Sequence, residues 1–408
     1  MRHLLLSRYF FPSLPRLVQA RIAVCCSFFI QGFTFLSWGS RIPDIKIALG
    51  LDEAQLGLVL LMMPLGEFLS MMPGGWLINR WGSRKMLLAA GVLYPLTICL
   101  IGLFLSKTIL SLGLLSAGAF ANLSSLSANT QGVRLERLYK RSIIALFHGM
   151  WSIGGLTAVA LNMLLARFAV SVQMHFALVF VLCISLLAFS GGNLMMTFPA
   201  AATDETKPKA RFGGWKLTPA LFWIGIAALG CMSCEGTVYD WAGVFMRESV
   251  GVVPVIQNYG LFAYLCTMVT MRFVADNLIN RFGMRTVLLF SGLCISGGLA
   301  AVIAASALPV TAAPVGAMLG FAIVGIGTAP VVPLCCSMAG NLKNVIPSIG
   351  ITIVSSIGFF GFLGGPPFVG AIAHATSLRH AFGIMAVIGL SVIAATLSLS
   401  RMRHSSIF

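Results

Sequence analysis

Charge is scarce in this sequence. Only 11 of 408 residues are acidic, and charged residues of all kinds make up 9%. A soluble domain carries roughly a quarter, so this chain lacks the means to clothe a globule in water-compatible surface. Its 58% hydrophobic content suits a bilayer as solvent. The net charge of +16 would point to nucleic acid on a soluble protein. Here the cations lie in short clusters between apolar runs, a placement that argues against a nucleic-acid partner. There is also no P-loop, no metal-ligand cluster and no nucleophilic constellation, which argues against ATP drive, enzymatic chemistry and any cofactor. The ten cysteines all fall inside apolar runs and form no exposed disulfide framework. Cys231 and Cys234 have CxxC spacing, but within an apolar run they read as small core residues rather than a redox or metal pair.

What is present is spanning length. Apolar runs fall near 20–40, 55–78, 86–106, 109–133, 142–166, 172–198, 217–246, 255–278, 286–307, 311–337, 346–372 and 379–400. Each is long enough for a membrane helix of about 20 residues. The longest polar interval, 201–216, separates six runs (1–200) from six (217–408) and reads as a cytoplasmic linker. Residues 1–20, with Arg2, Arg8, Arg16, Pro12 and Pro15, read as a cytoplasmic lead-in rather than a cleavable signal. With the N-terminus inside, 20 Lys and Arg fall in cytoplasmic segments, 6 in outer ones, and Arg272 within a span. That bias predicts a bacterial inner-membrane protein with both termini cytoplasmic.

The halves repeat. Residues 76–91 and 277–292 are identical at nine of sixteen positions, at an offset of 201. Ser152-Ile-Gly154 recurs as Ser356-Ile-Gly358, and Gln31-Gly32 pairs with Glu235-Gly236, both at an offset of 204. Two parallel six-helix copies are the pattern of transporters that bind solute where the repeats meet.

Asn79-Arg80-Trp81-Gly82-Ser83-Arg84-Lys85, after Gly75, resembles the loop between helices 2 and 3 of the major facilitator superfamily, G-x-x-x-D-R-x-G-R-[RK]. Asn280-Arg281-Phe282-Gly283-Met284-Arg285 is a second copy at half-length spacing. Trp38–Pro43, His148–Gly154, Glu235–Trp241 and Gly364–Pro367 together look like the YbjJ-like branch of that superfamily. The resemblance implies an all-α membrane protein, two pseudo-symmetric six-helix bundles and rocker-type alternating access. One departure is that Asn79 and Asn280 stand where the family has an acid, which weakens the usual carboxylate–arginine latch. Asp276 is a candidate substitute in the second half.

An ionisable group within a span costs about 2.5–3.5 kcal/mol on insertion scales. Glu67 is therefore a candidate proton carrier, with helix-to-helix hydrogen bonding as the alternative role, and Glu235, with Tyr239, is a candidate substrate-cavity residue as well as a proton carrier. Tyr239 shares a face with Glu235 at i+4. Asp240 points elsewhere, towards the outer end. His148 is the side chain poised to titrate near neutrality, or else a packing residue. Gln31, Thr34 and Trp38 on the first span, and Asn122, Ser125 and Asn129 on the fourth, each form one polar stripe. The resemblance places spans 1, 4 and 7 around a substrate cavity; otherwise the stripes are interhelical contacts. Arg272 and Asp276 at i, i+4 suit an intrahelical ion pair beside the inner loop, compatible with a gating role. Arg41 reads either as an outer-gate cation or as a solvated helix end. Pro64 and Pro73, Pro330 and Pro333, and Pro366 and Pro367 mark bendable points.

These observations predict a monomeric secondary transporter for a small solute, with protons as the coupling ion. Two alternatives are a multidrug efflux pump and a non-transporting sensor on a transporter scaffold. The sensor has weak support, because residues 1–20 and 401–408 leave no room for a signalling domain.

Overall fold

The computed structural model describes residues 14–140, 143–195, 217–342 and 345–402. The expected linker, most of the expected lead-in, Lys343 and Arg403 lie outside them. The described residues form thirteen α-helices. These are α1 (Arg16–Gly39), α2 (Ile42–Leu49), α3 (Glu53–Trp81), α4 (Ser83–Leu103), α5 (Lys107–Tyr139), α6 (Ile144–Arg167) and α7 (Val172–Ser190), followed by α8 (Pro219–Glu248), α9 (Tyr259–Phe282), α10 (Met284–Ala305), α11 (Ala313–Gly340), α12 (Pro347–Ala375) and α13 (Leu378–Arg401). All but the short α2 belong to the 12 segments long and apolar enough to cross a membrane. Away from their ends, helices pair their backbone groups within the segment, which hydrocarbon requires.

Side-chain caps set several helix starts. Ser106, Ser171, Thr218 and Ser377 accept from the backbone N–H groups of Ile109, Met174, Leu221 and His380, each satisfying one orphan donor. Pro219 follows Thr218 at the first helical position, where a missing N–H costs nothing.

The chain divides into two compact units. The first holds residues through Leu49 and from Met62 to α7; the second holds Gly50–Leu61 and α8–α13. Within the first, α1 packs chiefly on α6, and α4 on α5; within the second, α8 packs on α12, and α11 on both α9 and α10. Glycines set these crossings. A Cβ on Gly32 would overlap the Trp151 carbonyl, and one on Gly154 the Phe29 carbonyl, so α1 and α6 touch along their backbones. Small residues let membrane helices approach this closely. Gln131 supplies a polar clamp in the first unit. It is fully buried, its Nε2 donates to Ser83 Oγ at 2.8 Å and Met195 O at 3.0 Å, and its Oε1 accepts from Met195 N at 3.1 Å.

Candidate functional site

In the first unit the polar groups gather where α3 crosses α5. A Cβ on Gly118 would overlap the Met63 carbonyl and lie 3.0 Å from Glu67 N. This backbone contact fixes Glu67 on α3. Its carboxylate takes no hydrogen bond or salt bridge among the described residues, and its charge acts on the buried Tyr94 of α4. One turn on, Ser70 accepts from Asn122 Nδ2 at 2.9 Å. Asn122, Ser125 and Asn129 share a half-buried face of α5, where Asn129 Nδ2 donates to Ser125 O at 2.9 Å.

The α1 stripe is placed differently. Gln31, Thr34 and Trp38 are all buried. Gln31 Nε2 donates to Ser27 O at 3.2 Å and Thr34 Oγ1 to Ile30 O at 2.8 Å, with Cys183 Sγ of α7 3.6 Å away. These side chains are buried, whereas those of the α5 stripe are half-buried. His148 is exposed, its ring set edge-on to Phe28 at 5.2 Å.

The second unit holds a more connected cluster. Tyr239 donates its hydroxyl to Glu235 Oε1 at 3.0 Å, and Met268 Sδ lies 3.4 Å from the Tyr239 hydroxyl oxygen. The Tyr239 and Tyr264 rings meet edge to face at 5.7 Å. Tyr264 in turn shares a hydrogen bond of 3.1 Å with Thr328 Oγ1. Arg272 interacts electrostatically with Glu235 and Tyr239. Glu235 is thereby linked through tyrosines to α9 and α11. Tyr264, Met268 and Thr328 were not singled out from the sequence; with partners up to 97 residues apart, no local spacing reveals them. The cysteines of the CxxC pair serve packing: Cys231 Sγ donates to Thr328 O at 3.6 Å and Cys234 Sγ to Met385 O at 3.3 Å.

The two clusters are related by the repeat. A Cβ on Gly325 of α11 would overlap the Tyr264 carbonyl and lie 3.2 Å from Met268 N. This is the Gly118–Met63–Glu67 contact shifted by one copy, so Glu67 and Met268 hold corresponding places. Gln31 and Glu235 correspond through the 204-residue offset. At these corresponding positions each copy carries one acid, Glu67 on its second membrane helix and Glu235 on its first.

The loop motifs also repeat in three dimensions. Gly82 and Gly283 sit at φ 84° and 81°, and their N–H groups donate to Ile78 and Ile279 carbonyls at 2.8 Å. Positive φ with extended ψ is tolerated almost only by glycine. Arg80 lies over the Trp76 ring at 5.2 Å and Arg281 over Phe282 at 5.3 Å. Arg84 donates to Gly192 O at 2.9 Å. Asn79, Asp276, Asn280 and Arg285 are exposed. Gly82→Val is expected to cost about 1–3 kcal/mol, read as earlier unfolding on heating; Gly75→Val, where an added Cβ meets nothing within 4 Å, serves as the control.

A further charged cluster joins the end of α1 to the start of α7. Arg41 is buried, not solvated. Its Nε donates to His175 Nδ1 at 3.0 Å, Nη1 to Asp44 Oδ2 at 3.0 Å and Nη2 to Val170 O at 2.9 Å. Accepting at Nδ1 fixes the His175 proton on Nε2, which has no hydrogen-bond partner among the described residues. Arg41→Met removes the buried cation and its donors to His175, Asp44 and Val170 and is expected to cost about 3 kcal/mol. Arg41→Lys should recover little of it, because a point ammonium cannot reproduce three divergent donors. Detergent-denaturation midpoints of the three proteins check this.

Among the described residues no group of three or more His, Cys, Asp or Glu is placed to hold a metal ion. The Major Facilitator Superfamily profile matches residues 23–345. An uncharacterised MFS-type transporter of Yersinia pestis is 29% identical over 391 residues, covering 96% of this chain and 97% of its own. Membrane protein MosC of Rhizobium meliloti is 29% identical over 388 residues, covering 94% and 90%. The fold is similar to a mutant of the nucleoside transporter NupG, at TM-score 0.74 and 14% identity over 94% of this chain and 100% of that one. It is similar too to the D-xylose-proton symporter, at 0.69 and 15% over 94% and 97%. The chain is a multi-pass membrane protein and belongs to the Major Facilitator Superfamily of secondary transporters.

Proposed function

We propose that this transporter couples proton movement to the passage of a small polar solute by alternating access. It works as a monomer in the bacterial inner membrane with both termini cytoplasmic. The observation that carries the reading is the Glu235 site: a carboxylate inside a span, held by Tyr239 at 3.0 Å and under the influence of Arg272. A carboxylate in that setting alternates between pairing with a cation and carrying a proton, and each form favours a different conformation. Glu67, whose carboxylate has no hydrogen-bond or salt-bridge partner among the described residues, is the second proton candidate, and the half-buried amides of α5 offer donors and acceptors to a polar solute. The 20:6 cation bias supports the orientation.

The test begins with a thermal-shift screen of metabolites on purified protein, since a ligand that binds only the folded state raises its melting temperature. Each hit is then assayed for uptake into proteoliposomes with an imposed pH gradient. Accumulation that vanishes when the gradient is collapsed supports the reading. Accumulation indifferent to the gradient removes proton coupling from it.

A further inference from the structure

Three unusual features meet at the end of the first unit that holds the α1–α2 and α6–α7 turns. The first is the bond from Arg41 Nε to His175 Nδ1 at 3.0 Å. Both side chains are buried, His175 completely, and the guanidinium donates to an imidazole rather than only to a carboxylate. The second is the His175 Nε2–H, shut away with no acceptor among the described residues. A buried donor left unpaired costs stability that contact with water restores. The third is Ala169, which closes α6 at φ 49°. Ala169 N donates to Ala166 O at 3.2 Å and Val170 N to Leu165 O at 3.1 Å. These are the paired bonds of a helix end that ordinarily uses glycine at this position, and alanine there is strained. The carbonyl of the next residue, Val170, is the one that Arg41 Nη2 holds at 2.9 Å. One guanidinium pins both the start of α7 and the strained turn before it.

The bond to His175 exists only while Nδ1 keeps its lone pair. An imidazolium donates from both nitrogens and accepts at neither. A proton on Nδ1 therefore removes the bond and sets two cations against each other in a buried place. No carboxylate pairs with the ring among the described residues; Asp44 of α2 bonds Arg41 Nη1 instead. The other charged or titratable groups at this end are Lys46, buried on α2, Arg167, exposed at the end of α6, and Cys99 on α4, which also packs on α7. Imidazole is the side chain whose ordinary titration lies between pH 5 and 8. We propose that His175 is a proton-binding site whose filling releases Arg41, so that the start of α7 and the Ala169 turn part together from the α1–α2 turn as the pH falls. The strain at Ala169 and the unpaired Nε2–H favour release, and the Arg41 bonds oppose it. The proton binds only the released form, so each pH unit below ~6 multiplies a small released fraction by nearly ten. The response is separate from Glu67 and Glu235 and uses neither.

Hydrogen–deuterium exchange of the purified protein in detergent reads the released fraction, once rates are divided by the intrinsic chemical rate at each pH. Amides of residues 165–176 are expected to keep constant protection from pH 8 to 7. They should then lose it by nearly ~10-fold from pH 6 to 5, while amides of α10 keep theirs. His175→Asn puts an oxygen near the place of Nδ1. It accepts from Arg41 but takes up no proton, so protection should stay level across the range. Ala169→Gly relieves the strain and should raise protection several-fold at every pH, in the first turn of α7 as well as in the turn itself. A level profile in the native protein overturns the proposal, as does an equal fall in α10. The same fall in His175→Asn, or a rise in Ala169→Gly confined to residues 165–170, also overturns it. The native profile needs no substitution, so the answer does not depend on a variant that fails to fold.

Discussion

Leucine at position 118 is expected to leave almost no monodisperse protein. At this crossing even a single carbon on Gly118 overlaps the Met63 carbonyl, and both partners are helix backbone, which cannot rotate away as a side chain does. The only relief is to part α3 from α5 along much of their length. That parting also breaks the Asn122–Ser70 bond and opens the facing contact in which a Cβ on Gly66 would overlap the Leu115 carbonyl. Overpacking of ordinary cores costs about 1–3 kcal/mol. A backbone-to-backbone clash with four carbons to place belongs beyond that range, at more than ~4 kcal/mol. Size-exclusion profiles of a fluorescent fusion would read this as loss of the main peak. The repeat supplies a second instance: Gly325→Leu, against the Tyr264 carbonyl and Met268 N, should fail in the same way. Gly75→Leu, with nothing within 4 Å of its added carbon, should give a normal peak. A normal peak from Gly118→Leu would mean that α3 and α5 do not cross here as described.

The architecture was legible because the bilayer makes it so. A span must be apolar for about 20 residues, and the runs read from hydropathy coincide with the helices to within a few residues at most ends. The repeated loop was legible for a different reason. Its glycines are required by φ near +80°, so the turn leaves the same letters in both copies. The partnership of Glu235 with Tyr239 also followed from helical spacing alone.

What escaped was everything set by tertiary neighbours. The spacing of Gln31, Thr34 and Trp38 shows that they share a face but not what the face meets. Only the structure puts Cys183 of α7 beside Thr34 and encloses the stripe. Arg41 reads equally well as a solvated end or a gate; two of its partners, Val170 and His175, are 129 and 134 residues away. Tyr264 and Thr328 sit in apolar runs with no polar neighbour to draw attention. They gain meaning only where α9 and α11 meet, at the glycine contact that repeats the one beneath Glu67.

Glu235→Gln is expected to abolish gradient-driven accumulation of the transported solute while sparing exchange of that solute across the membrane at equal pH. Glutamine keeps the length of glutamate and an oxygen to accept from Tyr239, so the bond now at 3.0 Å and the helix contacts persist. It cannot take up a proton or answer the charge of Arg272. If this site couples protons to solute, the ratio of solute inside to outside falls to unity at any imposed gradient. That corresponds to loss of the full ~1.4 kcal/mol per pH unit that one proton contributes. Exchange at equal pH needs no net proton movement and reports that the variant still folds, binds and changes conformation. Tyr264→Phe is the graded companion. It removes the 3.1 Å bond to Thr328 without touching the carboxylate, and should shift the pH at which accumulation is half-maximal rather than eliminate it. The same pair of assays on Glu67→Gln separates the two acids, since only the one that carries the proton should lose accumulation and retain exchange. Loss of both activities in Glu235→Gln would assign the residue to solute binding, and loss of neither would remove it from the site.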